Sequence, residues 1–202
     1  MSSASPLSKW DDAALKLAIV FGVVAAGWTV VTAVQRIIRI VPNQDVPVTA
    51  AFADSTAVMP IGPGGADVDV IPTQVILAVS DMPPITLWSL ILAEVSYALA
   101  VVTVIALACL VIRNVTRGQA FAPRTVGYIG SATLVVGFGW IATWLFRTMG
   151  ANGGAAALAG EYPVNTAFDI EPVVLFAIAS MGVLAAAFQI GGKLQRENEG
   201  LV

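Results

Sequence analysis

Four long apolar runs dominate the pattern of this chain, separated by stretches in which polar residues, proline and glycine return. They are "LAIVFGVVAAGWTVVTAV" from Leu17 to Val34, "TLWSLILAEVSYALAVVTVIALACLVI" from Thr86 to Ile112, "VGYIGSATLVVGFGWIATWLF" from Val126 to Phe146, and "VVLFAIASMGVLAAAFQI" from Val173 to Ile190. A helix of about 20 mostly apolar residues crosses a hydrocarbon layer of about 30 Å, at about 1.5 Å per residue. The pattern predicts an all-α integral membrane protein with four transmembrane helices. The expected segments are 1–41 for the N-terminal stretch and first helix, 42–84 for an outer loop, 85–112 for the second helix and 113–125 for a cytoplasmic loop. After these come 126–147 for the third helix, 148–172 for a second outer loop, 173–190 for the fourth helix and 191–202 for a cytoplasmic tail.

The outer loop of about 43 residues is too long for a simple connection. Its segments "VPVTAAF" and "TQVILAVS" are rich in β-branched and apolar residues, and "IGPGGADVD" between them carries turn residues. A small β-containing extracytoplasmic cap of two to four strands is expected, with the loop 148–172 covering it. Pro83 and Pro84 start the second helix, and Pro172 suits the first turn of the fourth. Gly118 suits a helix C-cap and Pro123 a restart. Gly127, Gly130, Ser131, Gly137 and Gly139 offer close packing on the third helix.

Composition agrees with the apolar pattern. Hydrophobic residues make up 57% and charged residues 11%, about half the charged share of soluble domains, and mean hydropathy is +0.84. Lys9, Lys16, Arg113, Arg117, Arg124, Lys193 and Arg196 flank the runs on one side, against Arg36, Arg39 and Arg147 on the other. That asymmetry predicts a multi-pass protein of the inner or plasma membrane with both termini in the cytoplasm. The first run is expected to be retained rather than cleaved, because its leading segment "MSSASPLSKWDDAALK" has as many acids as bases and its apolar core is long for a signal peptide.

Glu94 is the one charge in the second run. It lies 19 residues before Arg113, and Arg36 lies 20 residues after Lys16, so both stand about 28 to 30 Å from the inner edge. An ion pair between Glu94 and Arg36 or Arg39 would lessen the cost of both charges near the outer edge of the hydrocarbon. A structural pair, a carboxylate bordering a wet outer vestibule, and a proton- or ligand-binding role are the three readings open to it.

Catalytic chemistry finds little to work with. The chain has no His, and Cys109 is its single Cys, which removes Ser-His and Cys-His arrangements and any Cys/His zinc site. "GVVAAG" and "GFGW" lie within apolar runs and are not phosphate-cradling loops. Asp67 and Asp69 in "GGADVD" lack the full calcium-loop pattern and read as a turn. No catalytic residue, metal ligand or cofactor is therefore assigned. A net charge of -3 without a basic block argues against nucleic acid.

Two stretches carry a family resemblance. "RGQAFAPRTVGYIG", Arg117 to Gly130, resembles the short loop and third-helix start of the YoaS-like family of small bacterial four-helix membrane proteins, a domain of unknown function. "GGKLQRENEGLV", Gly191 to Val202, is similar to that family's ending. Ala122 stands where Ser or Thr is usual, and Thr125 near the expected Asn. The resemblance implies the four-helix topology and a cytoplasmic docking surface made of Arg117, Gly118, Phe121, Leu194, Leu201 and Val202. Phe121 is expected to tuck between the inner ends of the second and third helices. Besides the lipid bilayer, the expected partners are another membrane protein and a cytoplasmic regulator. The expected role is a non-catalytic accessory or regulatory subunit, with a membrane sensor and a self-associating transporter or channel as alternatives.

Overall fold

The structure, a computed structural model, describes residues 9–51, 56–71, 74–159 and 172–199. In chain order these form α1 (Lys9–Ile40), β1 (Val46–Ala51), β2 (Ala57–Met59), β3 (Val68–Val70), β4 (Gln74–Val79), α2 (Pro84–Thr116), α3 (Pro123–Ala159) and α4 (Pro172–Glu199). Segments Ala13–Ile40, Pro84–Thr116, Pro123–Leu158 and Pro172–Leu194 are each long and apolar enough to cross a membrane. Large apolar side chains such as Phe21, Trp28, Phe138 and Phe176 point outward from them. Such surfaces suit contact with lipid, where exposing hydrocarbon has no cost in water structure.

Prolines and glycine set several helix ends. Pro84 and Pro172 open α2 and α4, where a missing N–H breaks no helical bond. At the end of α2 the Gln119 N–H donates to Asn114 O at 2.9 Å and the Gly118 N–H to Val115 O at 3.0 Å. This is a Schellman closure, and Gly118 supplies its left-handed residue at φ 72°.

The helices run further than the apolar pattern implied. α3 continues to Ala159, so the expected loop 148–172 is helical over its first half. "MGANGGAAALA", Met149 to Ala159, reads as a loop because it is rich in glycine. The helix holds because those glycines are contact surfaces, as described below. α2 runs on to Thr116 and α3 starts at Pro123, which shrinks the expected loop 113–125 to a turn. α4 reaches Glu199 and takes most of the expected tail 191–202.

The described residues divide into two compact units, with the divisions falling inside α1, α2 and α3. One unit draws on Gln35–Glu94 and Thr143–Asp169. Its β1 and β4 pair antiparallel, with Val46 opposite Val79 and Val48 opposite Leu77, and its β2 and β3 form a separate antiparallel ribbon. Alternation along β1 buries Val46 and Val48 and exposes Pro47 and Thr49. Val46, Val48 and Val79 join Ile40 and Met82 in a core flanked by Leu87, Leu90 and Ile91 of α2 and by Ala151 of α3. Among the described residues the cap therefore rests on α2 and α3, and residues 160–171 of the loop expected to cover it lie outside the described residues.

Close approach requires glycine here. A Cβ on Gly153 would stand 2.8 Å from Thr86 Cγ2, one on Gly150 2.8 Å from Leu90 Cγ, and one on Gly154 3.0 Å from Val48 Cγ1. The stretch that looked like a flexible loop is the face of α3 on which α2 and β1 lie.

The cap joins its helices through Asn43. The Asn43 side-chain amide donates to Met82 O at 3.0 Å, its Oδ1 accepts from the Met82 N–H at 3.0 Å, and its backbone O accepts from the Asp81 N–H at 3.0 Å. The Asp45 N–H donates to Ser80 Oγ at 2.8 Å. Asn43, Asp45 and Asp81 all have positive φ, which Asn and Asp tolerate better than most residues.

The other unit draws on Met1–Val34, Val95–Ala142 and Ile170–Val202. Within it, a Cβ on Gly22 would lie 3.2 Å from Ile105 Cγ2, and one on Gly139 would collide with Ala100. Gly137 meets Ile178 at ordinary contact distance, while Gly127 and Gly130 face open space among the described residues. Of the small residues expected to mediate packing on the third helix, Gly139 makes the tight contact, and Ser131 is exposed.

Candidate functional site

Glu94 lies on α2 one turn beyond Leu90, which flanks the cap core, and Arg36 lies on α1 one turn before Ile40 of that core. Arg36 Nη1 donates to Glu94 Oε1 at 3.2 Å and to Oε2 at 3.4 Å. One guanidinium nitrogen thus straddles both carboxylate oxygens, a weaker arrangement than the two-nitrogen fork. The Glu94 side chain is 12% exposed and that of Arg36 60%. Arg36, not Arg39, makes the contact. Glu94 is the charged residue among the buried residues described, and Ala93 beside it is almost fully enclosed. One turn earlier, the buried Ser89 hydroxyl donates to Ile85 O at 2.7 Å, within its own helix.

Physically, Glu94 is a carboxylate held in an apolar seat with one partial counter-charge. Removing such a charge from water costs several kcal/mol unless it is paired, and the nearby guanidinium reduces that cost. Because most of Arg36 remains exposed, the pair keeps one face open while the carboxylate is enclosed.

A second group of residues gathers in the other unit, where the α2–α3 turn meets α4. The Phe121 ring lies 5.5 Å from that of Phe188, tilted by 43°. A Cβ on Gly191 would stand 2.6 Å from Phe121 Cε1, and one on Gly192 3.0 Å from Phe121 O. Phe121 therefore seats on α4, a neighbour that the expected position between the ends of α2 and α3 did not include. Successive glycines let an aromatic ring and its backbone lie flat on a helix that any larger side chain would hold away.

Thr125 pins the same turn. It is fully buried, accepts from Asn114 Nδ2 at 3.0 Å and donates to Gln119 O at 2.9 Å. This one hydroxyl ties the last turn of α2, the turn itself and the first turn of α3. Arg117, Gly118 and Leu194 are exposed. Leu201 and Val202 lie outside the described residues.

Phe121, Pro123, Val126, Phe188, Ile190 and Lys193 line an open groove of about 510 Å³ at this end of the unit. Sequence reasoning named Phe121 but missed Phe188, Gly191 and the Asn114–Thr125 bond. The Gly-Gly pair directly after an apolar run was the available sign that something lies close to α4. Among the described residues, no three His, Cys, Asp or Glu side chains are grouped to hold a metal ion.

No family model matches this chain. No curated protein and no solved structure matches it either.

Proposed function

We propose that this chain is a non-catalytic, multi-pass protein of the inner or plasma membrane, with both termini in the cytoplasm, that acts as an accessory or regulatory subunit of another membrane protein. The observation that supports this reading best is the apolar surface of the cap. Val58, Ile61, Ile71 and Ile76 are exposed on strands and turns that lie outside the helices long enough to span a bilayer. Apolar side chains exposed outside the candidate spans suit contact with a protein partner. Each strand of a two-stranded sheet also has an unpaired edge, a surface suited to strand addition.

In this reading the Arg36–Glu94 pair is structural and ties α1 to α2 below the cap core. Mild-detergent purification of the tagged chain from its native membranes should bring down a membrane protein in fixed ratio. Ile76→Lys together with Val58→Lys should release it. Recovery of the wild-type chain alone would overturn the accessory role.

A second reading has its own support. The α2–α3 turn and the last turns of α4 touch through Phe121, Phe188 and Gly191, the coupling a sensor would need to relay a signal to a cytoplasmic regulator. Truncation after Gly192 should then abolish signalling while leaving membrane insertion intact. Kinship with the YoaS-like family is compatible with either role and is part of the proposal.

A further inference from the structure

The groove at the α2–α3 turn has two chemically different sides. Phe121, Val126, Phe188 and Ile190 supply aromatic and aliphatic surface, and Lys193 supplies an ammonium group at its edge. It lies where the candidate span Pro123–Leu158 begins and the candidate span Pro172–Leu194 ends, a level that corresponds to the boundary between hydrocarbon and headgroups. The local charge is one-signed around the turn. Arg113, Arg117 and Arg124 fall in a stretch that has no acidic residue between Glu94 and Glu161. Lys193 does meet Glu197, but at 3.9 Å with both side chains largely exposed. Such an i,i+4 pair is worth little and can give way to a phosphate.

We propose that this groove binds one anionic phospholipid, with an acyl chain against the Phe121–Phe188 rings and the headgroup phosphate on Lys193. The inference rests on the membrane reading given above. Apolar contact and a single cation match the two ends of a phospholipid, and the excess of arginine selects an anionic headgroup over a zwitterionic one. The lipid would bridge the turn and α4 and reinforce the contact that the Gly191–Gly192 pair allows.

The test uses the full chain purified in detergent and titrated with phosphatidylglycerol or phosphatidylcholine, with bound lipids counted by native mass spectrometry. One phosphatidylglycerol should be retained in preference to phosphatidylcholine. Lys193→Gln should weaken phosphatidylglycerol binding roughly five-fold and weaken the residual phosphatidylcholine binding as well, because both lipids carry the phosphate that Lys193 meets. Val126→Trp, which fills the apolar side, should weaken both. Helicity and gel-filtration profile show whether each variant is folded, and the exposed Lys193 site carries the test alone if Val126→Trp is not. Equal retention of the two lipids, or no response to Lys193→Gln, would overturn the proposal while the membrane reading stands. Release of the wild-type chain from membranes by alkaline carbonate would overturn both.

Discussion

Glu94 and Arg36 are unequal partners, and the inequality predicts what each substitution does. Arg36→Gln leaves an enclosed carboxylate without its counter-charge, whereas Glu94→Gln leaves a guanidinium that is already largely exposed. Arg36→Gln is expected to cost roughly 3 kcal/mol, and Glu94→Gln about 1 kcal/mol. Thermal unfolding in detergent, followed by circular dichroism, measures both, and equal losses would refute the asymmetry. Thr125→Val keeps shape but deletes a hydroxyl that both donates and accepts, which leaves the Asn114 amide and the Gln119 carbonyl short of partners. A loss of about 2 kcal/mol in the same measurement is expected. The residue count from flanking cations brought Glu94 level with Arg36 but left Arg39 as good a candidate, because a one-turn difference lies within the error of such a count. Thr125 was not legible as an anchor. Its partners come together only through the left-handed Gly118 and the reversal of the chain, and neither follows from spacing.

At the scale of elements, glycine misled in both directions. In soluble sequences a run such as "MGANGGAAALA" signals a loop, since glycine is a poor helix former. Here Gly150, Gly153 and Gly154 are helical because Leu90, Thr86 and Val48 occupy the space their side chains would fill. Gly127 and Gly130 look like the same packing signal, yet no described atom stands within 4 Å of a Cβ placed on either. The two classes separate experimentally. Gly153→Ala should destabilise by about 1 to 3 kcal/mol through collision with Thr86, while Gly130→Ala should be neutral or slightly stabilising. Comparing the two unfolding midpoints checks the pair of expectations together. In the cap, Val48 is fully buried against Gly154, and Val48→Ala should cost about 2 kcal/mol, with strand content lost ahead of helix content on heating. β1 and β4 were legible from their β-branched and apolar residues, but β2 and β3 were not, and Asp69, read as part of a turn, lies in β3. The division of the strands into two separate ribbons was not legible either, since sequence gives no rule for which strand pairs across a loop of this length.

For the molecule as a whole, hydropathy alone located all four long helices, because uninterrupted apolar runs of about 20 residues leave little room for ambiguity. Orientation is a separate matter and rests on the distribution of Lys and Arg. In a Cys109→Ala background, a thiol placed by Asp69→Cys should react with a membrane-impermeant maleimide on intact cells, and one placed by Gln119→Cys should react only after permeabilisation. The opposite pattern would invert the topology and move the lipid groove to the outer leaflet. The joint at Asn43 bears on how such a molecule can change over time. The chain is fastened between Asn43 and Met82 before β1 starts and after β4 ends, so the stretch from Asp45 to Ser80 hangs from a closed gateway as an insert. Extending an insert of this kind costs only about 0.6 kcal/mol per doubling of its length. The freedom lies in the part of the insert that does not touch the helices: the β2–β3 ribbon can lengthen, shorten or change its exposed side chains at little cost, whereas Val46, Val48 and Val79 are held to the helices they pack on.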